Sequence, residues 1–276
     1  MMPAMFQKND AATTTDAEGR FALTNIEPGI HVFSASHSGY APVRDQGFEV
    51  PQNGLANYRV VLSGGGTVEG IVVHDGETKS GAMIQLMGGP EMKMATSDHE
   101  GKFSLSNIAP GSYMVQALNM SAAMTQDFSN MMYGQKVVDV EDGETSFVDF
   151  GPEEGTVTVS GTISGKRGGM TTVSLRREGG PRPEDINQFD FDATIEALRY
   201  AGGSQDILTG DRDTYTIQGV RPGEYILEVI SIDMDMSNPA AMMEMASNPP
   251  IPQRQPVVVT ADEPAIFDID LDEAGE

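Results

Sequence analysis

Cysteine and tryptophan are both absent from these 276 residues. Without cysteine there is no disulfide framework and no thiolate metal site. Without tryptophan, and with aromatics at 7%, little is available for the exposed ring platforms on which sugars stack. Positive charge is also scarce: 17 Lys and Arg stand against 41 Asp and Glu, a formal charge of -24. Such a chain repels a phosphate backbone and an anionic membrane surface, so no nucleic-acid partner is expected. Apolar runs are short. None approaches the roughly 18 residues that a spanning helix needs, so no membrane insertion by this chain is expected. The opening residues, Met1-Met2-Pro3-Ala4-Met5-Phe6-Gln7-Lys8, lack the basic-then-apolar order of a signal peptide. Any export signal is expected to lie outside them or to have been removed.

What the chain does contain is a repeat. Thr15-Asp16-Ala17-Glu18-Gly19-Arg20-Phe21-Ala22-Leu23-Thr24-Asn25-Ile26-Glu27-Pro28-Gly29 returns as Ser97-Asp98-His99-Glu100-Gly101-Lys102-Phe103-Ser104-Leu105-Ser106-Asn107-Ile108-Ala109-Pro110-Gly111, an offset of 110 - 28 = 82 without a gap. A looser third copy, Asp213-Thr214-Tyr215-Thr216-Ile217-Gln218-Gly219-Val220-Arg221-Pro222-Gly223, follows at 222 - 110 = 112. Gly19 and Gly101 sit between strand patterns, where a positive φ closes a turn without a Cβ clash. Phe21/Leu23, Phe103/Leu105 and Tyr215/Ile217 alternate with polar residues, the period of a half-buried strand. Pro-Gly is read as the centre of a type II turn.

Further strands start at Gln46, Gln135 and Gln255, and closing strands are expected at 58–62, 146–150 and 266–271. Opening strands precede the second and third copies, at 67–73 and 156–164. The predicted fold is therefore all-β: tandem antiparallel Greek-key β-sandwiches of transthyretin-like or immunoglobulin-like type, the first module incomplete. The expected boundaries are 1–64 for a partial module, 65–152 for a whole one, and 153–276 for a whole one with a helical insertion near 180–210. Too few residues precede the first turn for opening strands, so the chain is expected to be a piece of a longer protein.

The pattern Thr/Ser-Asp-x-x-Gly-x-Phe-x-Leu-x-Asn-Ile-x-Pro-Gly-x-Tyr resembles the carboxypeptidase regulatory-like domain, a transthyretin-like accessory module. The match is close in the first two copies and looser in the third, where Asp213 replaces the turn glycine. The resemblance implies strings of non-catalytic domains in secreted or cell-envelope bacterial proteins, and a grouping with carbohydrate-binding-like folds. A related surface-domain family crosslinks its sandwich through a lysine of the opening strand. The segments 67–73 and 156–164 contain none, so no such crosslink is expected.

Candidate sites are few. His74-Asp75-Gly76-Glu77 has the H-x-x-E spacing of two zinc ligands, yet a catalytic zinc needs a third, and Asp75-Gly76 reads better as a hairpin turn. The pairs Asp16/Glu18 and Asp98/Glu100 suggest calcium, but an EF-hand frame would put Asn25 or Asn107 where the bidentate glutamate belongs. Solvated turn carboxylates are the simpler reading. Met234, Met236, Met242, Met243 and Met245 offer soft thioethers suited to Cu(I), with packing of a short helix as the competing role. Phe189, Phe191 and Tyr200 are aromatic residues spare enough to serve a glycan, unless the helix expected at 192–200 uses them for packing through Ile195 and Leu198.

The sequence thus points to non-catalytic structural and interaction modules of a larger exported or cell-envelope protein, with a protein or glycan partner at the cell surface. A carbohydrate-binding module is the first alternative and Cu(I) binding the second. No cofactor is expected, and no triad, carboxylate pair or complete metal set supports an enzyme.

Overall fold

Alternation of apolar and polar residues underlies most of the strands. The computed structural model describes residues 11–55, 57–125, 130–151, 153, 155–166, 169–182, 185–186, 190–203, 205–232, 251–261 and 265–272. Strands β1 (Gly29–Ala35) and β2 (Val43–Val50) form an antiparallel pair in the first copy. The second copy contains β3 (Gly66–Ile71), β4 (Val73–His74), β5 (Glu77–Thr78), β6 (Met83–Met87), β7 (Lys93–Thr96), β8 (Lys102–Ile108), β9 (Gly111–Leu118), helix α1 (Met120–Met124), β10 (Met132–Val140) and β11 (Thr145–Asp149). The third contains β12 (Val157–Ser164), β13 (Met170–Arg177), α2 (Phe191–Arg199), β14 (Asp206–Thr209), β15 (Thr214–Val220), β16 (Gly223–Ile232), β17 (Gln253–Val259), β18 (Ala265–Ile266) and β19 (Ile269–Asp270).

The second and third copies are two realisations of one topology. Sheet β10-β9-β6-β7 faces sheet β11-β3-β8, and sheet β17-β16-β13-β14 faces sheet β18-β12-β15. Each pair of sheets encloses its own core of fifteen buried residues, running from Val68 to Phe150 in one and from Val159 to Ile269 in the other. Strand β8 shows the mechanism: Phe103, Leu105 and Ile108 are buried, whereas Lys102, Ser104 and Ser106 face outward. Among its described residues the first copy has no comparable interior. Phe33, Ala41 and Pro42 are buried there, with Phe21, Phe48 and Tyr58 grouped around Phe33 at 6.3, 5.3 and 5.6 Å.

Three expectations are corrected. The sheets are not wholly antiparallel, because β11 runs parallel to β3, and β18 and β19 run parallel to β12. The chain crosses from one sheet to the other before its closing strand, and period-2 patterning carries no information about strand direction. The closing strand expected at 58–62 is not formed among the described residues. Finally, Pro-Gly is not a type II turn: Gly29 and Gly111 adopt φ of 140° and 154°, far from the value near 80° that this turn needs. The left-handed residue is three or four positions earlier, at Asn25 (61°), Asn107 (55°) and Gly219 (73°).

The turn reading of the acidic pairs has a clear physical basis. Asp98 Oδ1 accepts from the amides of Glu100 at 2.8 Å and Lys102 at 2.9 Å. Asp16 repeats this with Glu18 at 3.1 Å and Arg20 at 2.8 Å. Gly19 and Gly101 then close the turn at φ of 77° and 79°. The aspartate is fixed in place by its own backbone. His74 and Glu77 pair across the β4–β5 hairpin, whose turn holds Asp75 and Gly76 at positive φ, the type I′ geometry.

Candidate functional site at the joint between the two complete sandwiches

The insertion of the third copy yields the clearest constructed feature outside the cores. Asp190 caps α2, its side chain accepting from the Ala193 amide at 3.1 Å, which satisfies one of the free donors at the helix start. Asp192 lies in the first turn and Arg199 in the last, both favourable to the helix dipole. Ile195 and Leu198 were expected to pin this helix to a sheet. Ile195 is indeed buried, and the helix lies against β9 and β10 of the preceding sandwich. The chain then returns to its own sandwich, where the Arg177 amide donates to the Tyr200 carbonyl at 2.8 Å.

Polar contacts surround this apolar contact. The Arg199 guanidinium donates to Asp139 Oδ1 at 2.5 Å and to the Ser112 hydroxyl at 3.1 Å. Ser112 in turn donates to the same Asp139 oxygen at 2.6 Å. Glu153, in the connection between the sandwiches, accepts from Lys136 on β10 at 3.0 Å and from Arg221, just beyond β15, at 2.5 Å. The Arg199 and Ser112 donors hold the Asp139 carboxyl below its ordinary value, and Arg221 followed by Lys136 does the same for Glu153. Exposed ion pairs of this kind contribute little, because solvent screens them. Burying an aliphatic or aromatic side chain contributes about 1.5–3 kcal/mol. Apolar contact therefore holds the joint, and the charges set its register.

Of the aromatic candidates, Phe191 and Tyr200 are half-buried. The Phe191 ring occupies the space beside Gly88 of the preceding sandwich, and the Tyr200 ring lies over Gly180, where a Cβ would come within 2.6 Å of it. Both rings are placed for packing, at opposite ends of α2. Phe189, Met234, Met236, Met242, Met243 and Met245 lie outside the described residues.

The described residues include two open clefts. One, of about 770 Å³, is lined by Thr162, Ser164, Gln253, Gln255, Asp268 and Asp270 together with Ile269, with no aromatic residue among the described residues of its wall. The other, of about 350 Å³, lies between the first copy and the second and includes His37, Tyr40, Glu91, Lys93 and Asn107. Tyr40 is 46% exposed there and stands edge-on to His37 at 5.2 Å. Among the described residues no group of three or more His, Cys, Asp or Glu could hold a metal ion, and no helix is long and apolar enough to cross a membrane. The joint itself was not legible in the sequence. Arg199, Asp139, Glu153 and Arg221 carry no motif, and the only local sign was the helix itself.

The family model for the second β-sandwich domain of BOS complex subunit NOMO1-like proteins matches residues 64–147, which span β3 to most of β11. No curated protein matches the chain. Among solved structures, the minor pilin GBS52 of Streptococcus agalactiae is 13% identical with a TM-score of 0.26, over 75% of this chain and 94% of that one. A DUF3823 family protein of Bacteroides ovatus is 11% identical with a TM-score of 0.24, over 60% and 89%. The Bacillus anthracis TIE protein is 12% identical with a TM-score of 0.26, over 75% of this chain and 33% of that one. The chain thus spans about a third of that protein's length. Similarity at these levels carries nothing about role or arrangement.

Proposed function

We propose that the chain is a non-catalytic spacer and interaction segment of a larger exported or cell-envelope protein, built from modules of the carboxypeptidase regulatory-like type at 1–64, 65–152 and 153–276. The observation that carries this reading is the joint. Helix α2 leaves one sandwich to pack on the other, and Glu153 is bonded to both. A segment whose distinctive side chains fix the relation of neighbouring domains behaves as a strut. The repeat supports the same reading, because its defining residues form turns and cores. The repeat pattern alone suggests the envelope location. Small-angle X-ray scattering tests the strut: one arrangement of the two sandwiches should fit the profile, and a need for many arrangements would count against it. Antibody labelling of intact cells tests the location.

A glycan partner is the second reading, favoured by the exposed Tyr40 ring beside Glu91, Lys93 and Asn107. Glycan-array binding that disappears in Tyr40→Ala supports it, with Phe191→Ala and Tyr200→Ala as the comparison. A blank array ends it. Cu(I) binding by the 234–245 methionines is tested by titration against a competing chelator.

A further inference from the structure

The outer faces of the two larger sheets hold the same place in the repeat and differ in chemistry. Tyr113 and Tyr225 correspond at the offset of 112, so Gln116 matches Glu228 and Met114 matches Ile226. In the third copy Glu228 lies opposite Arg254 and pairs with both Arg254 and Arg176. Those charges satisfy one another. In the second copy the places of Glu228, Arg254 and Arg176 are taken by Gln116, Gln135 and Met87. All three are neutral.

Strand β6 shows which residues belong to this face. Ile84 and Leu86 are buried in the core, so Met83, Gln85 and Met87 project from the other side. Val115 and Ala117 turn Met114 and Gln116 outward on β9 in the same way, and Ala95 turns Met94 outward on β7. The register then assembles three methionines. Met87 is directly opposite Met114. Met94 is opposite Gln85, which places it diagonal to Met87. In an antiparallel pair opposite Cβ atoms are about 4.5–5.5 Å apart and diagonal ones about 7–8 Å. Unbranched, flexible thioether chains can close both gaps. Met94 is 57% exposed, Met87 half-buried and Met114 9% exposed, so the group runs from solvent to a nearly dry end. The Met114 sulfur stays at the face, where Sδ accepts from Gln135 Nε2 at 2.8 Å and from Gln116 Nε2 at 3.7 Å. A thioether is a weak acceptor, so a metal can replace these bonds at little cost.

We infer that Met87, Met94 and Met114 form a site for a soft monovalent cation of the Cu(I) class. Neutral thioethers suit Cu(I), whereas calcium and magnesium need oxygen donors and zinc favours thiolate, imidazole or carboxylate. The site shares β9 with the docked helix α2, which reaches the sheet at the Ser112 and Asp139 end. It is separate from the 234–245 methionines, and it does not depend on the strut reading.

The test labels the full chain with methyl-13C methionine and titrates it with silver(I) nitrate in chloride-free buffer, silver being a redox-inert stand-in for Cu(I). Single Met→Leu changes, which nearly conserve volume, assign the methyl signals. The methyls of Met87, Met94 and Met114 should shift together and saturate at one silver per chain, with Met83 unmoved. Met87→Leu should weaken binding by about tenfold or more. So should Met94→Leu, whose exposed position spares the core, with circular dichroism unchanged in both. Cu(I) added without oxygen should displace silver from the same three methyls. A chain carrying Met234→Leu, Met236→Leu, Met242→Leu, Met243→Leu and Met245→Leu should keep the site, which separates this proposal from Cu(I) binding by that segment. Shifts that follow exposure alone, with Met92 and Met124 responding as strongly as Met94, overturn the proposal. Affinity indifferent to Met87→Leu and Met94→Leu also overturns it, as does a response confined to other methionines or silver that Cu(I) fails to displace.

Discussion

The Tyr113 hydroxyl donates to the carbonyl oxygen of Ala109, four residues earlier, at 2.6 Å. Tyr225 repeats the bond to Arg221 at 2.8 Å, and in the first copy His31 Nε2 lies 2.7 Å from the Glu27 carbonyl. Three copies thus pin the same corner in the same way. The two tyrosine rings also cover glycines of their own modules, Gly89 and Gly202. Burial raises the Tyr113 pKa, so its hydroxyl stays a donor across the physiological range.

Removing one of these hydroxyls isolates the pin from the ring packing. Tyr225→Phe should lower stability by about 1 kcal/mol, the net contribution of one buried hydrogen bond, measured by urea denaturation of the full chain. No measurable change would mean that the ring alone holds the corner.

Gly70 and Gly161 make a sharper case. A Cβ on either would run into a carbonyl of the closing segment, Val148 or Phe267, and into the neighbouring aromatic ring. Gly161→Ala should therefore cost about 1–3 kcal/mol as overpacking, whereas Gly143→Ala, in open space, should lose less through its positive φ alone. Thermal unfolding ranks the two, and a larger loss at Gly143 would contradict the close-approach reading.

Glu228 is 4% exposed and is flanked by Arg176 at 3.3 Å and Arg254 at 2.9 Å across β13, β16 and β17. Removing the shared carboxylate leaves Arg176, only 11% exposed, without its partner. Glu228→Ala should destabilise the third copy by about 3–5 kcal/mol. Triple replacement of the cluster by apolar residues should recover much of that loss, and calorimetry can compare the two.

The joint should respond to acid before the cores do. Asp139 and Glu153 both titrate below their ordinary values, through Arg199 with Ser112 and through Arg221 with Lys136. Their contribution is full above the unfolded carboxylate value of about 4 and is lost as pH falls through the lower folded values. On acidification the spread of inter-sandwich distances should widen below about pH 4 while the β circular dichroism persists. Simultaneous loss of both would show that the ion pairs do not act at the joint.

Much of the architecture was legible because it depends on local pattern. Phe103/Leu105 and Tyr215/Ile217 announce their strands by alternation, and Gly19 and Gly101 announce their turns. Strand direction was not legible, since a parallel β11 and an antiparallel one bury the same residues. The segment at 58–62 has the composition of a strand but, among the described residues, no neighbour to pair with, and pairing is a property of the whole sheet. The joint was hidden for a related reason. Arg199 and Asp139 are 60 residues apart, and only docking of α2 on a foreign sandwich makes them neighbours. Phe191 and Tyr200 looked spare because the glycines they cover, Gly88 and Gly180, are remote from any aromatic pattern.

The chain has no native cysteine, so Ser104→Cys on β8 and Thr216→Cys on β15, both exposed, accept one spin label on each complete sandwich. The distance distribution between them measures whether the joint makes a strut. One narrow peak is predicted for the otherwise unaltered protein, broadening when Phe191→Ala and Arg199→Ala are combined. A broad distribution from the start, or a peak indifferent to the two changes, would contradict it.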